Sequence, residues 1–383
     1  MSEGRTYLDY NATAPMRPAV AEAVVRALSL PGNPSSVHAE GRAARSAVEA
    51  ARGQVAALVG ASSDAVVFTS GGTEAANAVL GGGLKPRDGA AMPRLLLCAT
   101  EHACVLDGHR FEAVGIIPVD GEGVLDLEWL EADLAANGPA LVCVHAANNE
   151  TGVVQPVAEV VRLVHTAGGL VLADAVQAAG RLPLDQTTLG VDAFILSAHK
   201  LGGPKGVGAV VLGPEVSLRA VIAGGGQERG RRGGTENVPG IVGFGQAAEA
   251  ARAALPTEAG RLAALRDKVE TELRRVAPDA VIFGAAASRL PNTTAFAVPG
   301  LRAETALIAF DLAGVALSSG AACSSGKVRR SHVLAAMGVA PSLADGALRV
   351  SLGWGTTEND VLRFAEACEK AVAPLYKRKA AAA

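Results

Sequence analysis

Between residues 65 and 212 the chain repeats one pattern. Short, largely apolar runs stand at 65–69, 95–99, 141–146, 170–173, 191–196 and 206–212, separated by stretches with helical spacing such as 73–80 and 156–167. Runs that stay apolar, rather than alternating with polar residues, belong to strands covered on both faces. The pattern therefore predicts a parallel or mixed sheet between helices. Before it, an extended segment at 7–15 ends in a proline turn. Val20, Val24, Ala27 and Leu28 then place an apolar face on a helix over 17–30, and a long Ala-rich helix follows over 38–59.

After about residue 224 the rhythm changes. A Gly/Arg-rich loop leads into helical sequence that runs to about 276. Strands at 293–298 and 348–352 and helices at 303–312 and 358–375 follow. This reads as a second, smaller α+β domain. The division is placed at residues 15–255 for the large domain, with 1–14 and 256–383 forming the small one.

Composition narrows the class. The 383 residues are 49% hydrophobic and 19% charged, with a net charge of −3, so a large core is available and no basic nucleic-acid footprint is present. Five cysteines without a CxxC pair indicate neither a disulfide framework nor a zinc site, and suit a reduced, cytoplasmic setting. The first residues lack the basic-then-apolar order of a signal peptide, and no apolar run has transmembrane length. No membrane or nucleic-acid partner is expected.

Candidate chemistry gathers where strands end. In Ser197-Ala198-His199-Lys200-Leu201-Gly202-Gly203-Pro204, a lysine follows a strand and precedes structure-breaking glycines. A partly desolvated lysine amine loses its proton readily and forms Schiff bases with carbonyl cofactors, although a lone Lys before Gly is more often an exposed loop residue. Ser70-Gly71-Gly72-Thr73-Glu74 joins a strand to a helix, where backbone N–H groups suit an anion or a plain helix cap. Asp174 ends a strand; it is either a helix cap or an anion for a protonated pyridine nitrogen. Glu101-His102 and Asn148-Asn149 follow other strands at the same edge. Residues 224–235 read as a mobile basic loop, either a linker or an anion-binding element that reaches a neighbouring subunit.

Cys98 and Cys143 sit in apolar strands and Cys368 on a helix, as packed thiols; Cys104, close to His102, is harder to dismiss. Cys323 lies among small residues, Ser318-Ser319-Gly320-Ala321-Ala322-Cys323-Ser324-Ser325-Gly326, followed by Lys327, Arg329 and Arg330. Nearby cations favour the nucleophilic thiolate, so Cys323 is read as functional. Arg349 alternates with apolar residues on a strand, where it serves a carboxylate ligand or a structural ion pair.

Taken in order, SGGTE, TEH, NNETG, DAVQ, SAHKLGGPKG, GGGQERGRRGGTEN and SSGAACSSG resemble the motifs of the nitrogen-fixation and iron–sulfur-cluster type of cysteine desulfurase. These are class V aminotransferase-group enzymes that use pyridoxal 5'-phosphate (PLP). The resemblance runs from Tyr7 to Gly353. It implies an α/β fold of the PLP-dependent transferase fold type I: a large domain with a mainly parallel seven-stranded sheet between helices, plus a smaller α+β C-terminal domain. It also implies a homodimer with sites at the subunit interface.

By position, the resemblance makes Lys200 the covalent anchor of PLP and the mover of the Cα proton. Gly72, Thr73, Ser197 and His199 would hold the phosphate, with Thr235 supplied by the partner subunit. Asp174 would pair with the pyridine nitrogen, Gln177 with the ring hydroxyl, and His102 would stack on the ring and move protons. Asn149 would lie beside cofactor and substrate, and Arg349 would bind the carboxylate of L-cysteine. Cys323 would take the sulfur as a persulfide, releasing L-alanine, and pass it to an acceptor such as an iron–sulfur scaffold protein. No resident metal is implied, though Cys323 is a candidate transient ligand of a shared iron–sulfur cluster. Where the family often has Leu-Glu-Pro, this chain has Val328-Arg329-Arg330, a more basic stretch that bears on partner docking. Two other readings stay open: a different class V PLP enzyme, such as a selenocysteine lyase or an aminotransferase, and a non-enzymatic α/β binding protein.

Overall fold

The computed structural model describes residues 4–320 and 330–382, with side chains described as far as Lys377. Seven strands form its main sheet: β1 (Val66–Thr69), β2 (Leu95–Cys98), β3 (Val114–Ile117), β4 (Leu141–His145), β5 (Leu170–Asp174), β6 (Ala193–Ser197) and β7 (Gly208–Leu212). Their spatial order is β1-β7-β6-β5-β4-β2-β3. Only β7 runs against its neighbours, pairing antiparallel with both β1 and β6; the other ladders are parallel. The apolar runs are what this position demands, since all residues of β1, β2, β4, β6 and β7 are buried. Edge strand β3 buries only Ile117 and exposes Val114 and Ile116, although its sequence is as apolar as that of the central strands.

Helices cover both faces. The α1 (Pro18–Leu28) and α2 (Ala39–Leu58) helices pack against α4 (Val238–Val276), while α3 (Gly72–Ala78) starts directly after β1. The 39-residue α4 contains Pro256. Its buried residues up to Ala251 join the core of the main sheet, and those from Leu262 to Leu273 join a second core. That second core surrounds a four-stranded antiparallel sheet with strands β8 (Val281–Ile282), β9 (Thr293–Ala297), β10 (Ser318–Ser319) and β11 (Leu348–Ser351), in the order β8-β9-β11-β10. Leu8, near the N-terminus, belongs to this second core. No helix among the described residues is long and apolar enough to cross a membrane.

The Gly/Arg-rich loop, read from sequence as mobile, is tied down. The Arg52 guanidinium on α2 grips the Glu228 carboxylate at 2.7 and 2.9 Å and lies over the Phe68 ring, 4.9 Å from its centroid. Glu228 also accepts from the Phe68 N–H at 2.9 Å. Arg229 pairs with Asp64, Arg231 donates to the Asp64 and Val66 carbonyls, and Arg232 forks onto Glu74. To make these contacts Glu228 and Arg229 adopt φ of 48° and 57°, a left-handed backbone disfavoured for side-chain-bearing residues. The sequence showed the basic residues but not their acidic partners, which lie more than 150 positions away. Replacing Glu228 with alanine removes the bidentate partner of the buried Arg52 and leaves it only the half-exposed Glu49, 3.2 Å from its Nε. The expected loss is about 3–5 kcal/mol of unfolding free energy. A denaturation midpoint equal to the wild type would contradict that.

Candidate active site

The carboxyl ends of β4, β5 and β6 open into one cavity of about 330 Å³. Asp174 is the last residue of β5 and pairs in register with His145 of β4 and Ile195 of β6. Ser197 ends β6, and a single helical turn, Ala198–Lys200, carries the lysine into the cavity. The start of α3 closes one side with Gly72 and Thr73. That turn is set by close approach: a Cβ on Gly208 of β7 would stand 2.6 Å from the Gly71 backbone. At Gly72 a Cβ would meet Val176 at 3.3 Å and Ser197 at 3.6 Å, so the bare backbone leaves the wall open here.

Lys200 Nζ donates to the Asn11 and Ala12 carbonyls at 2.6 and 2.9 Å. Burial, followed by the positive charges of Arg349 and Arg181, lowers its pKa to about 8. Asp174 is pushed up to about 6, chiefly by burial and then by the Glu101 carboxylate; the Val176 N–H, 2.8 Å from its oxygen, works in the opposite direction. Gln177 donates to the Asn11 carbonyl at 3.0 Å and accepts from Arg181. His199, 3.2 Å from the Thr13 hydroxyl, is held down to about 4 by burial and by Lys200 and Lys205, and is therefore neutral.

Arg349 comes from β11 of the second sheet and is almost completely buried. It donates to the Asp9 carboxylate and to the Asn149 carbonyl, both at 2.8 Å. Its Nε has no partner among the described residues. An orphaned guanidinium N–H at a cavity wall fits a carboxylate ligand.

Most of the residues singled out from sequence therefore meet. Gly72, Thr73, His102, Asn149, Asp174, Gln177, Ser197, His199, Lys200 and Arg349 all line this cavity. Thr235 does not: it is exposed on the chain's surface, after the Arg-rich loop. Cys323 lies outside the described residues. Sequence reasoning missed Asn11 and Ala12, which meet Lys200 through backbone carbonyls and so carry no residue-type signal. It also passed over Asp9, Arg181 and His145.

His145 belongs to a buried group with Cys98 and Glu101, whose ligand-type atoms lie within 4.8 Å of one another. Its Nδ1 is 3.0 Å from Glu101 Oε1 and its Nε2 is 3.4 Å from the Gln155 amide nitrogen. The amide can only donate, so Nε2 accepts and Nδ1 carries the proton towards Glu101. Both ring nitrogens are thus committed, and none is left to ligate a metal.

A seven-stranded, mainly parallel sheet with a lysine just beyond one strand end and an aspartate at the end of the next is the fold type I arrangement of PLP-dependent transferases. The chain belongs to the class V aminotransferase family, whose model, described as "Aminotransferase class-V", matches residues 6–364. It is 42% identical over 366 residues to the cysteine desulfurase of Trichormus azollae, covering 94% of this chain and 91% of that one. Against the cysteine desulfurase of Cereibacter sphaeroides the identity is 43% over 373 residues, 94% of each chain. The X-ray structure of a NifS-like protein from Rickettsia africae superposes with a TM-score of 0.87 at 33% identity, covering 96% of this chain and 99% of that one.

Proposed function

We propose that this protein is a PLP-dependent cysteine desulfurase, which converts L-cysteine to L-alanine and leaves the sulfur as a persulfide on Cys323. One observation carries the reading: a lysine amine with a depressed pKa shares a cavity with a buried carboxylate and an incompletely partnered arginine. The family and the names of the relatives point the same way.

The residues fit PLP. Asp174, held at the cost of burying a carboxylate, suits a cationic ring nitrogen. The open backbone at Gly72, with Thr73, Ser197 and His199 nearby, suits a phosphate. When bound, PLP supplies an electron sink for the carbon from which the Cα proton leaves. Lys200 anchors it and, once freed, moves that proton. Asp174 keeps the ring nitrogen protonated, Gln177 meets the ring hydroxyl, and His102 stacks on the ring. Asn149 lies beside substrate and cofactor, and Thr235 completes the phosphate site of a partner subunit in a homodimer. The two units, 15–255 and 1–14 with 256–383, bring the anchor lysine and the substrate arginine from opposite sides. Cys323 thiolate attacks the substrate sulfur. The S–S bond forms as the C–S bond breaks, the electron pair stays with the carbon fragment, and protonation gives L-alanine. The persulfide then passes to an acceptor protein, for iron–sulfur cluster assembly or other thiolation, in a reduced cytoplasmic setting.

The test is incubation of purified, PLP-loaded protein with L-cysteine and a thiol reductant. Sulfide and L-alanine in equal amounts are expected. Release of pyruvate and ammonia, or amino transfer to a keto acid without sulfide, would overturn the proposal. Turnover confined to L-selenocysteine would identify a selenocysteine lyase instead.

Arg349→Ala should raise the KM for L-cysteine by roughly 10- to 150-fold, the range for losing one charge-assisted hydrogen bond. It also leaves Asp9 without its ion-pair partner, so the melting temperature should fall. Asp9→Asn separates the two effects: it removes the same ion pair but keeps the guanidinium. A KM unchanged in Arg349→Ala would remove Arg349 from substrate binding.

A further inference from the structure

Cys104 stands in the cavity wall, yet the proposed chemistry gives it no task. It lies in the short helical turn after β2, two residues beyond His102, and its sulfur is 3.1 Å from His102 Nδ1. The Cys104 backbone N–H donates to the same nitrogen at 3.2 Å, with His102 serving as the N-cap of the short helix Ala103–Leu106. A nitrogen that accepts from a backbone N–H carries no proton of its own. The neighbouring sulfur can therefore meet it favourably only as an S–H donor. Thr73, at the start of α3, is a polar neighbour of the same sulfur.

We propose that Cys104 is a positioning residue of this site: its thiol donates to His102 Nδ1 and thereby fixes the ring, with its proton on Nε2, against the cavity. The inference rests on the desulfurase reading only for what the histidine then does. The thiol–imidazole contact itself is independent of that reaction.

The charges around the pair agree with this geometry. The Cys104 thiol is pushed up to about 12, first by burial and then by the Asp174 and Glu101 carboxylates, so it remains an S–H donor at neutral pH. His102 is lowered by desolvation and then by Lys200; Glu101 acts in the opposite direction, and His332 adds a further lowering. Both partners are therefore neutral, and the thiol shares the unprotonated Nδ1 with the Cys104 backbone N–H. A thiolate–imidazolium pair of the kind that activates a nucleophile is disfavoured on both sides. Cys104 thus orients His102 and is not itself a sulfur acceptor.

The experiment is a pH titration of ¹⁵N-histidine-labelled protein followed by NMR, with and without PLP, the His102 signal being assigned through His102→Asn. The wild type should show His102 as the Nε2–H form. In Cys104→Ala the neutral ring loses a donor, so protonation is favoured and the His102 pKa should rise by roughly half to one unit. The acid limb of the desulfurase pH profile should move up by a similar amount. Cys104→Ser keeps a donor of similar size and should bring both back towards the wild type. An unchanged His102 titration in Cys104→Ala, whether or not the melting temperature falls, would overturn the proposal, as would a Cys104→Ser protein indistinguishable from Cys104→Ala. The NMR measurement needs no turnover, so it stands even if the protein proves not to desulfurate cysteine.

Discussion

Lys200→Ala is expected to abolish covalent capture of PLP and to reduce desulfuration by at least 10²- to 10⁴-fold, the range for loss of a positioned proton-transfer group alone. The proposed function gives the amine two tasks, and alanine can do neither. Its pKa of about 8 gives the prediction a pH dependence. At pH 7.5 an amine with that pKa is roughly one-quarter neutral, against about one part in a thousand for an ordinary lysine, which is roughly a 200-fold gain in reactive form. The gain follows from burial and from the two nearby guanidinium groups, and the Asn11 and Ala12 carbonyls hold the amine in place. Cofactor-free protein exposed to PLP and then borohydride should be labelled at Lys200, with the extent of labelling rising through pH 8. Labelling that rises only above pH 10, or that maps to other lysines, would sink the assignment. Lys200→Arg keeps a positive charge but no primary amine, and should fail in the same way. That outcome separates loss of charge from loss of the bond-forming nitrogen.

Much of this cavity was legible because each element announces itself locally. Apolar runs with no polar alternation mark buried strands, and a glycine or a polar residue directly after such a run marks the sheet edge where ligands bind. Lys200, Asp174, Gly72 and His102 all have that signature. What failed to show was of two kinds. Backbone groups such as the Asn11 and Ala12 carbonyls have no residue-type signal. Long-range charge pairs also join positions that nothing in the chain links: Arg349 to Asp9 across 340 residues, Arg52 to Glu228 across 176. Arg349 was equally consistent with a ligand and with a structural ion pair, and the fold gives it both an ion-pair partner and an unpartnered Nε. The basic loop at 224–235 misled for the same reason. Its arginines looked solvated because Asp64 and Glu74 are brought to them, and Arg52 to Glu228, only by the fold.

Cys323→Ala should retain PLP bound at Lys200, with its visible absorbance and its response to L-cysteine, yet release no sulfide or L-alanine above about one-thousandth of the wild-type rate. The expectation follows from the other cysteines. The described ones, Cys98, Cys104, Cys143 and Cys368, are all free thiols. Cys98 and Cys143 are packed inside strands of the main sheet, and Cys368 in the second core. Burial drives the pKa of each far above neutrality, so none offers a thiolate. Cys104 does reach the cavity, but burial, followed by the Asp174 and Glu101 carboxylates, keeps it as a thiol. Sulfur abstraction needs a thiolate able to approach the substrate, and Cys323 alone has a sequence environment that supplies one: small residues on both sides, with Lys327, Arg329 and Arg330 following. Mass spectrometry of the wild type under turnover should place an added sulfur on the peptide containing Cys323. Its appearance on Cys104, or full sulfide release by Cys323→Ala, would reassign the acceptor thiol. It would also convert Cys104 from a positioning residue into the nucleophile.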